Sequence, residues 1–380
     1  MPEENIPSPG LAIQKEIDAR GWNQTDLAQI LGVHQSVVSA LVTGKRPISL
    51  EIARDLAAAF RTDLEYWLKL ETDFRLFAAG PVDDGIARRA RLFEAAPVKE
   101  MIRRRWIQAT ADIELLEKQV LGFYGADSLD DLAAKIPNAL RKSTSYLKET
   151  ASERFWLQRV KQLAPAAPVS AKFTDALFVK AMNRFKGLLG HPESVRHIPK
   201  VLADAGIRFV IVENLPRTGI DGVCVWLDKF SPVIALSLFR DRMDSVWFTL
   251  FHEMDHVKHR DGLTLPPVVD SRLTGEGSVS ANDKPEIEQR ADSFASTSLI
   301  SADEMNNFVV RIGPLYSKPR IEGFAKRIGV HPAIVLGQLQ HRKEVEWNYK
   351  TDLIERVRDI LTHEAPTDGW GMSAILPAAV

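Results

Sequence analysis

The stretch "FHEMDHVKH", residues 251–259, decides how the second half of this chain is read. It sets His252 and His256 four residues apart, with Glu253 beside the first and His259 just beyond. On a helix, side chains at i and i+4 leave one face, so two imidazoles can aim at one ion. Glu253, one residue on, can reach a water next to that ion and take its proton. This H-E-x-x-H arrangement supplies two zinc ligands and a general base. The competing reading is a polar patch on an ordinary helix. The surroundings weigh against it: short strands precede the helix, and a glutamate-bearing helix follows.

A catalytic zinc takes a third protein ligand and keeps one position open. Two residues are candidates. His259 faces the same way as His252, but its Cα lies about 10 Å further along the axis, too far for three histidines to close easily on one ion. Glu288, on the next helix, is better placed. Asp292, at i+4 from Glu288, shares its face and is suited to orient a ligand histidine through its free N–H.

Working outward, three short β-branched runs lie upstream: "IRFVIV" (207–212), "GVCVWL" (222–227) and "VIALSL" (233–238). They predict a small sheet of about three strands, followed by a helix over 244–259. A loop rich in Pro, Gly and Ser covers 262–285. The next helix runs over 285–300, with Pro285 suiting its first turn. A further helix, "RIEGFAKRIGVHPAIVLGQLQHR", closes a domain set at 166–345. The tail, 346–380, starts helical and ends in the aperiodic "GWGMSAILPAAV". On the N-terminal side, "LAPAAPVSA" (163–171) is a Pro/Ala joint after a helical connecting region over 79–165. Residues 1–78 form a first domain of short helices punctuated by Gly21, Gly32, Gly44 and Pro47. No internal repeat is evident.

Within that first domain, "NQTDLAQILGVHQSVVSALVTGKR" (23–46) reads as two short helices joined by Gly32-Val33-His34. Leu27, Ala28, Leu31, Val33, Val38 and Leu41 are spaced to pack them together. The second helix would present Gln35, Ser36 and Ser39 to base edges in a major groove, with Gln24, Lys45 and Arg46 placed for phosphates. Residues 1–70 carry 7 Lys+Arg against 9 Asp+Glu, so this domain lacks the positive excess common in DNA binders. A more basic stretch, residues 86–107, has 7 basic against 2 acidic residues and reads as a solvated helix face. The nearby Trp106, Phe123, Tyr124, Phe155 and Trp156 read as core.

Composition bounds the class. The 380 residues are 45% hydrophobic and 26% charged, ordinary for a soluble globular protein. A net charge of −1 points to neither nucleic acid nor membrane as a bulk partner. The single cysteine, Cys224, excludes an internal disulfide and suits a reducing compartment. No apolar stretch approaches the roughly 20 residues that span a bilayer. "MPEENIPSPG" has neither the basic start nor the apolar core of a signal peptide. The expected location is cytoplasmic, with no membrane partner.

Two resemblances follow from these motifs. Residues 10–76 resemble the lambda-repressor-like (XRE/Cro) helix-turn-helix fold, in its HigA-type antitoxin branch, including Trp67 after the start of the last helix. Residues 244–300 resemble the ImmA/IrrE family of zinc metallopeptidases, whose second motif, E-x-x-A-[ND]-x-F-A, is met by Glu288, Ala291, Asp292, Phe294 and Ala295. Asp255 stands where that family usually has Gly or Ala. The resemblance implies His252, His256 and Glu288 as Zn2+ ligands and Glu253 as general base. Together the two imply a multidomain protein: an all-α helix-turn-helix domain, a helical middle segment and an α+β zincin-like metallopeptidase domain. The implied function is a transcriptional regulator that joins an operator-binding, homodimeric DNA-binding domain to a zinc-dependent peptidase that cuts a regulatory protein: itself, a repressor or a toxin partner. The alternative is a non-catalytic regulator whose peptidase-like domain only binds metal or a partner. Either His331 or His341 could hold a transition-state oxyanion, and nothing in the sequence selects one.

Overall fold

The computed structural model describes residues 7–79, 84–135, 150–263, 270–271 and 284–370. The chain divides into two compact units, Met1–Ala87 and Arg88–Val380. Most of the loop expected over 262–285 and the last ten residues of the tail lie outside the described residues.

The first unit is built from α1 (Pro9–Ala19), α2 (Gln24–Leu31), α3 (Gln35–Val42), α4 (Leu50–Phe60) and α5 (Leu64–Ala79). Local chemistry sets these boundaries. Ser8 and Ser49 cap α1 and α4 through their side-chain oxygens. Asn23 and Asp26 form a reciprocal capping box at the start of α2. Ile13, Ile17, Leu27, Val38, Leu41, Leu56, Phe60 and Trp67 bury their side chains in one core. Gly10 allows α1 to press on the end of α3: a Cβ there would lie 2.0 Å from the Val42 carbonyl oxygen.

Helix α6 (Asp84–Ala95) crosses the division between the units, and α7 (Val98–Arg103), α8 (Ile113–Tyr124), α9 (Leu129–Lys135) and α10 (Ala151–Leu163) follow. Next come α11 (Asp175–Lys186), α12 (Ile198–Asp204), β1 (Arg208–Ile211), β2 (Ile220–Trp226) and β3 (Pro232–Leu236). The three strands match the three apolar runs. A two-residue β4 (Asp270–Ser271) extends the sheet to the order β1-β3-β2-β4. β1 pairs parallel with β3, and β2 pairs antiparallel with β3 and β4. Both faces of the sheet are covered, which explains the unbroken apolar runs. Phe209, Ile211, Cys224 and Ile234 face the main core, while Val210, Val223, Val225 and Val233 pack with Trp156 and Val160 of α10.

Helix α13 (Met243–His259) lies on the sheet, and every residue from Met243 to Val257 is buried. Trp247 and Phe251 meet Phe185 of α11 with ring centroids 5.8 and 5.9 Å apart, and Leu250 and Met254 complete that side. Helix α14 (Glu286–Leu299) packs along α13, with Pro285 at its N-cap rather than inside its first turn. Then come α15 (Ala302–Ile312), α16 (Lys318–Ile328), α17 (Pro332–His341) and α18 (Arg358–Glu364).

The single closing helix expected over 320–342 is two helices. Gly329 takes φ +75° and ends α16, His331 caps α17 by accepting from the Ala333 amide, and Pro332 fixes its first turn. The same device ends α2: Gly32 takes φ +68° and His34 caps α3 by accepting from the Ser36 amide. An internal repeat is therefore present, Ala-x-x-x-Gly-Val-His-x-x-x-Val, over residues 28–38 and 325–335. It escapes a scan for periodicity because only the turn and a few packing positions recur.

Nothing lies within 4 Å of a Cβ added at Gly329, so Gly329→Ala meets only the conformational cost of a left-handed backbone. That cost is about 1–2 kcal/mol. Urea unfolding followed by tryptophan fluorescence should show a loss of this size. An unchanged midpoint would mean that the turn relaxes to a right-handed conformation.

Candidate metal centre and nucleic-acid interface

The middle of α13 and the first turn of α14 bring three side chains together. His252 Nε2 lies 3.1 Å from His256 Nε2 and 3.1 Å from Glu288 Oε2. His256 Nε2 lies 3.8 Å from Glu288 Oε1. His252, His256 and Glu288 are all buried and, among the described residues, form the one cluster of three or more potential metal ligands.

Each imidazole is backed by a carboxylate on its other nitrogen. Asp292 Oδ1 is 3.0 Å from His252 Nδ1, and Asp261 Oδ2 is 2.9 Å from His256 Nδ1. Burial works against ionisation of both aspartates. For Asp292 the hydrogen bond to His252 and the charge and hydrogen bond of Lys284 outweigh it. For Asp261 the hydrogen bonds to His256 and Arg290 do the same. Both carboxyls therefore titrate below their ordinary range. Lys284 Nζ is 2.5 Å from Asp292 Oδ2, and Arg290 pairs with both Asp255, at 2.7 Å, and Asp261.

This donor set fits a small divalent cation. A carboxylate only accepts, so each Nδ1 donates and each Nε2 turns a lone pair inward. Two lone pairs and a carboxylate then face one another, an arrangement a cation relieves. A tetrahedral zinc with ligand distances of about 2.1 Å holds its donors about 3.4 Å apart, close to the separations seen.

Glu253 is fully buried on the sheet side of α13. Its carboxylate rests against β2, where a Cβ on Gly222 would lie 2.6 Å from Oε1 and 2.8 Å from Thr249 Cγ2. Gly222 is thus the residue that lets the strand approach this carboxylate. His259 turns away from the cluster, with Nδ1 3.0 Å from the Asp255 carbonyl oxygen and 3.2 Å from Asp255 Oδ1. His331 is engaged as the cap of α17. His341 instead packs at a tilt against Phe248, ring centroids 5.6 Å apart, and Phe248 lies 6.4 Å from the His252 ring. Burial holds His341 below the ordinary imidazole range, so it is neutral near pH 7.

Spacing rules missed Asp261, Lys284, Arg290 and Gly222. Asp261 follows the left-handed Arg260, off the helical repeat, and the others depend on how α13, α14 and the sheet meet.

In the first unit, Gln35 and Ser36 are exposed at the start of α3, Ser39 is half-buried one turn on, and Lys45 and Arg46 are exposed beyond it. Gln24 is half-buried, with Nε2 donating to Gln14 Oε1 at 3.3 Å. Leu27, Ala28, Val38 and Leu41 are buried between the helices, with Leu31 and Val33 packed against them. The Trp67 indole donates to Thr62 Oγ1 at 2.8 Å.

The basic stretch 86–107 is partly neutralised by ion pairs. Arg88 pairs with Glu117 at 2.5 Å, Arg91 with Asp130 at 2.7 Å and Arg103 with Glu100 at 2.7 Å. Arg104 departs from the solvated-face reading. It is buried, donates to the Glu213 and Asn214 carbonyls at 2.8 and 2.6 Å, and faces Asp368 at 3.3 Å. Trp106, Phe123 and Phe155 stack in sequence at 5.3 and 5.9 Å, as core aromatics do.

The helix-turn-helix family model (HTH_3) matches residues 13–67. The chain is 38% identical over 78 residues to virulence-associated protein A' of Dichelobacter nodosus, covering 20% of this chain and 68% of that one. It is 39% identical over 71 residues to an uncharacterized HTH-type transcriptional regulator of Haemophilus influenzae, covering 18% and 66%. It is 32% identical over 80 residues to the uncharacterized HTH-type transcriptional regulator YbaQ of Escherichia coli K12, covering 21% and 68%. The chain belongs to this helix-turn-helix family through its N-terminal unit, a DNA-binding domain of the transcriptional-regulator type. Among the described residues no helix is long and apolar enough to cross a membrane.

If α3 reads the major groove, Gln35→Ala combined with Ser39→Ala should abolish the gel shift of its operator while leaving the thermal unfolding of the protein unchanged. An unchanged shift would remove these two residues from the interface.

Proposed function

We propose that the protein is a DNA-binding regulator whose second unit is a zinc-dependent peptidase of the ImmA/IrrE type. One observation carries this reading: two imidazole nitrogens and a carboxylate converge, each imidazole backed by its own aspartate, with Glu253 buried on the helix that bears both histidines. His252, His256 and Glu288 would hold the ion, and Asp292 and Asp261 would fix the two imidazoles. Zinc, when bound, supplies a Lewis acid that polarises a peptide carbonyl and acidifies water. Glu253 accepts the proton of the attacking water on its carboxylate and returns it to the leaving amine. The substrate is a regulatory protein: this chain itself, a repressor or a toxin partner. The helix-turn-helix unit binds double-stranded operator DNA, as a homodimer over two half-sites.

Metal content by mass spectrometry, on protein purified without chelator, tests the site. Wild type should carry about one zinc per chain, Glu288→Ala should lose most of it, and Asp292→Asn should bind it about 10–100-fold more weakly. Glu253→Gln should keep the metal and lose peptide cleavage. Wild type that takes up no zinc, even when it is supplied, would defeat the peptidase reading.

A further inference from the structure

We propose that the cavity between α18 and the segment that follows it binds a small organic cation. This goes beyond the peptidase reading and does not depend on it. The cavity measures about 850 Å³, counting the open space at its mouth. Its floor is Ile211 and Glu213, at the end of β1 and just past it. One wall is α18, through Arg358, Asp359 and Thr362, and the other is the segment from Thr367 to Trp370. That second wall is fastened to the strand. The Ile211 amide donates to the Pro366 carbonyl at 2.8 Å, and the Asp368 amide donates to the Ile211 carbonyl at 3.1 Å.

Three carboxylates line this space: Glu213, Asp359 and Asp368. Asp359 is exposed, whereas Glu213 and Asp368 are only 8% and 1% exposed. Arg358 pairs with Glu213 Oε1, and Oε2 has no donor among the described residues. Asp368 meets the Arg104 guanidinium at 3.3 Å and the Glu213 amide at 3.5 Å, both long for contacts to a charged group. The two guanidiniums place their other donors on backbone. Arg358 donates to the Leu238 carbonyl at 2.7 Å, and Arg104 donates to the Glu213 and Asn214 carbonyls at 2.8 and 2.6 Å. Negative charge in the cavity is therefore short of partners. Burial pushes the Glu213 and Asp368 carboxyls above their ordinary range, and a cation beside them would draw both back. An anion would meet three carboxylates, and a neutral guest would leave the buried charge unmatched. A bare metal ion does not suit the pattern either. The three carboxylates do not close on one point, since among the described residues only His252, His256 and Glu288 do so. An organic cation can reach several of them, with its head at Glu213 and Asp368 and its apolar body along Ile211 and the half-exposed Trp370.

Calorimetric titration of the full-length protein tests the site, with agmatine as the probe and succinate as the control. Agmatine is a short chain with a guanidinium at one end and an ammonium at the other, and succinate is a short chain of opposite charge. Agmatine should bind at a single site per chain, and succinate should not bind. Glu213→Gln keeps the shape of the side chain and removes its charge, so it should weaken agmatine about ten- to hundredfold. Asp359→Asn, on the exposed face of α18, should weaken it about two- to fivefold. Thr362→Trp, which fills the cavity from α18, should abolish binding, and it decides the matter if Glu213→Gln does not fold. Wild type that takes up no agmatine, or takes up succinate equally well, would overturn the site. So would an affinity that survives Thr362→Trp, because the cation would then be held elsewhere on the protein.

Discussion

The rest of the second unit depends on a helix that is buried along nearly its whole length while carrying ionisable side chains. Asp244, His252, Glu253, Asp255 and His256 of α13 all lie out of solvent. A buried charge without a partner costs several kcal/mol, so each of these groups constrains what surrounds it. Asp244 takes Arg242, Asp255 takes Arg290, and the two histidines take Asp292 and Asp261. These pairings position α14 and the turn after α13. They also leave both Nε2 atoms directed at Glu288. In this way the same ionic partners that make the burial of the helix tolerable also shape the candidate metal centre.

Asp255 shows the coupling within this network. It stands where the resembling family usually carries a small residue, and here it is compensated by Arg290, which also reaches Asp261 behind His256. The extra negative charge is thereby tied into the support of a ligand histidine instead of remaining a repulsive neighbour. The cluster of Arg104, Glu213 and Asp368 follows the same principle elsewhere in the unit. Burial raises both carboxyls and lowers the guanidinium from their ordinary values, and charge pairing opposes each shift. That cluster joins the residue after α7, the segment after β1 and the tail.

The two Gly-Val-His turns show how one local signal serves two environments. Both end a helix on a left-handed glycine and start the next on a histidine cap. After the first, α3 leaves Gln35 and Ser36 in solvent, as a DNA-reading helix requires. After the second, α17 buries Ala333, Ile334, Val335 and Leu336 against the core and cannot enter a groove. The difference lies in which residues follow the turn, polar in one case and apolar in the other.

The sequence alone determined the local features: the helix pair at 23–46, the three apolar strands, the shared face of His252 and His256, and the i+4 relation of Glu288 and Asp292. Each depends on periodicity or capping over a few residues, which a linear chain displays directly. The tertiary structure alone decided which partners meet across the fold. Asp261 behind His256, Gly222 beneath Glu253, Arg104 in the core and His341 over Phe248 are separated in sequence from what they touch or lie off the helical repeat. Their positions follow from the packing of buried side chains at close contact, a property of several elements at once that no single segment encodes.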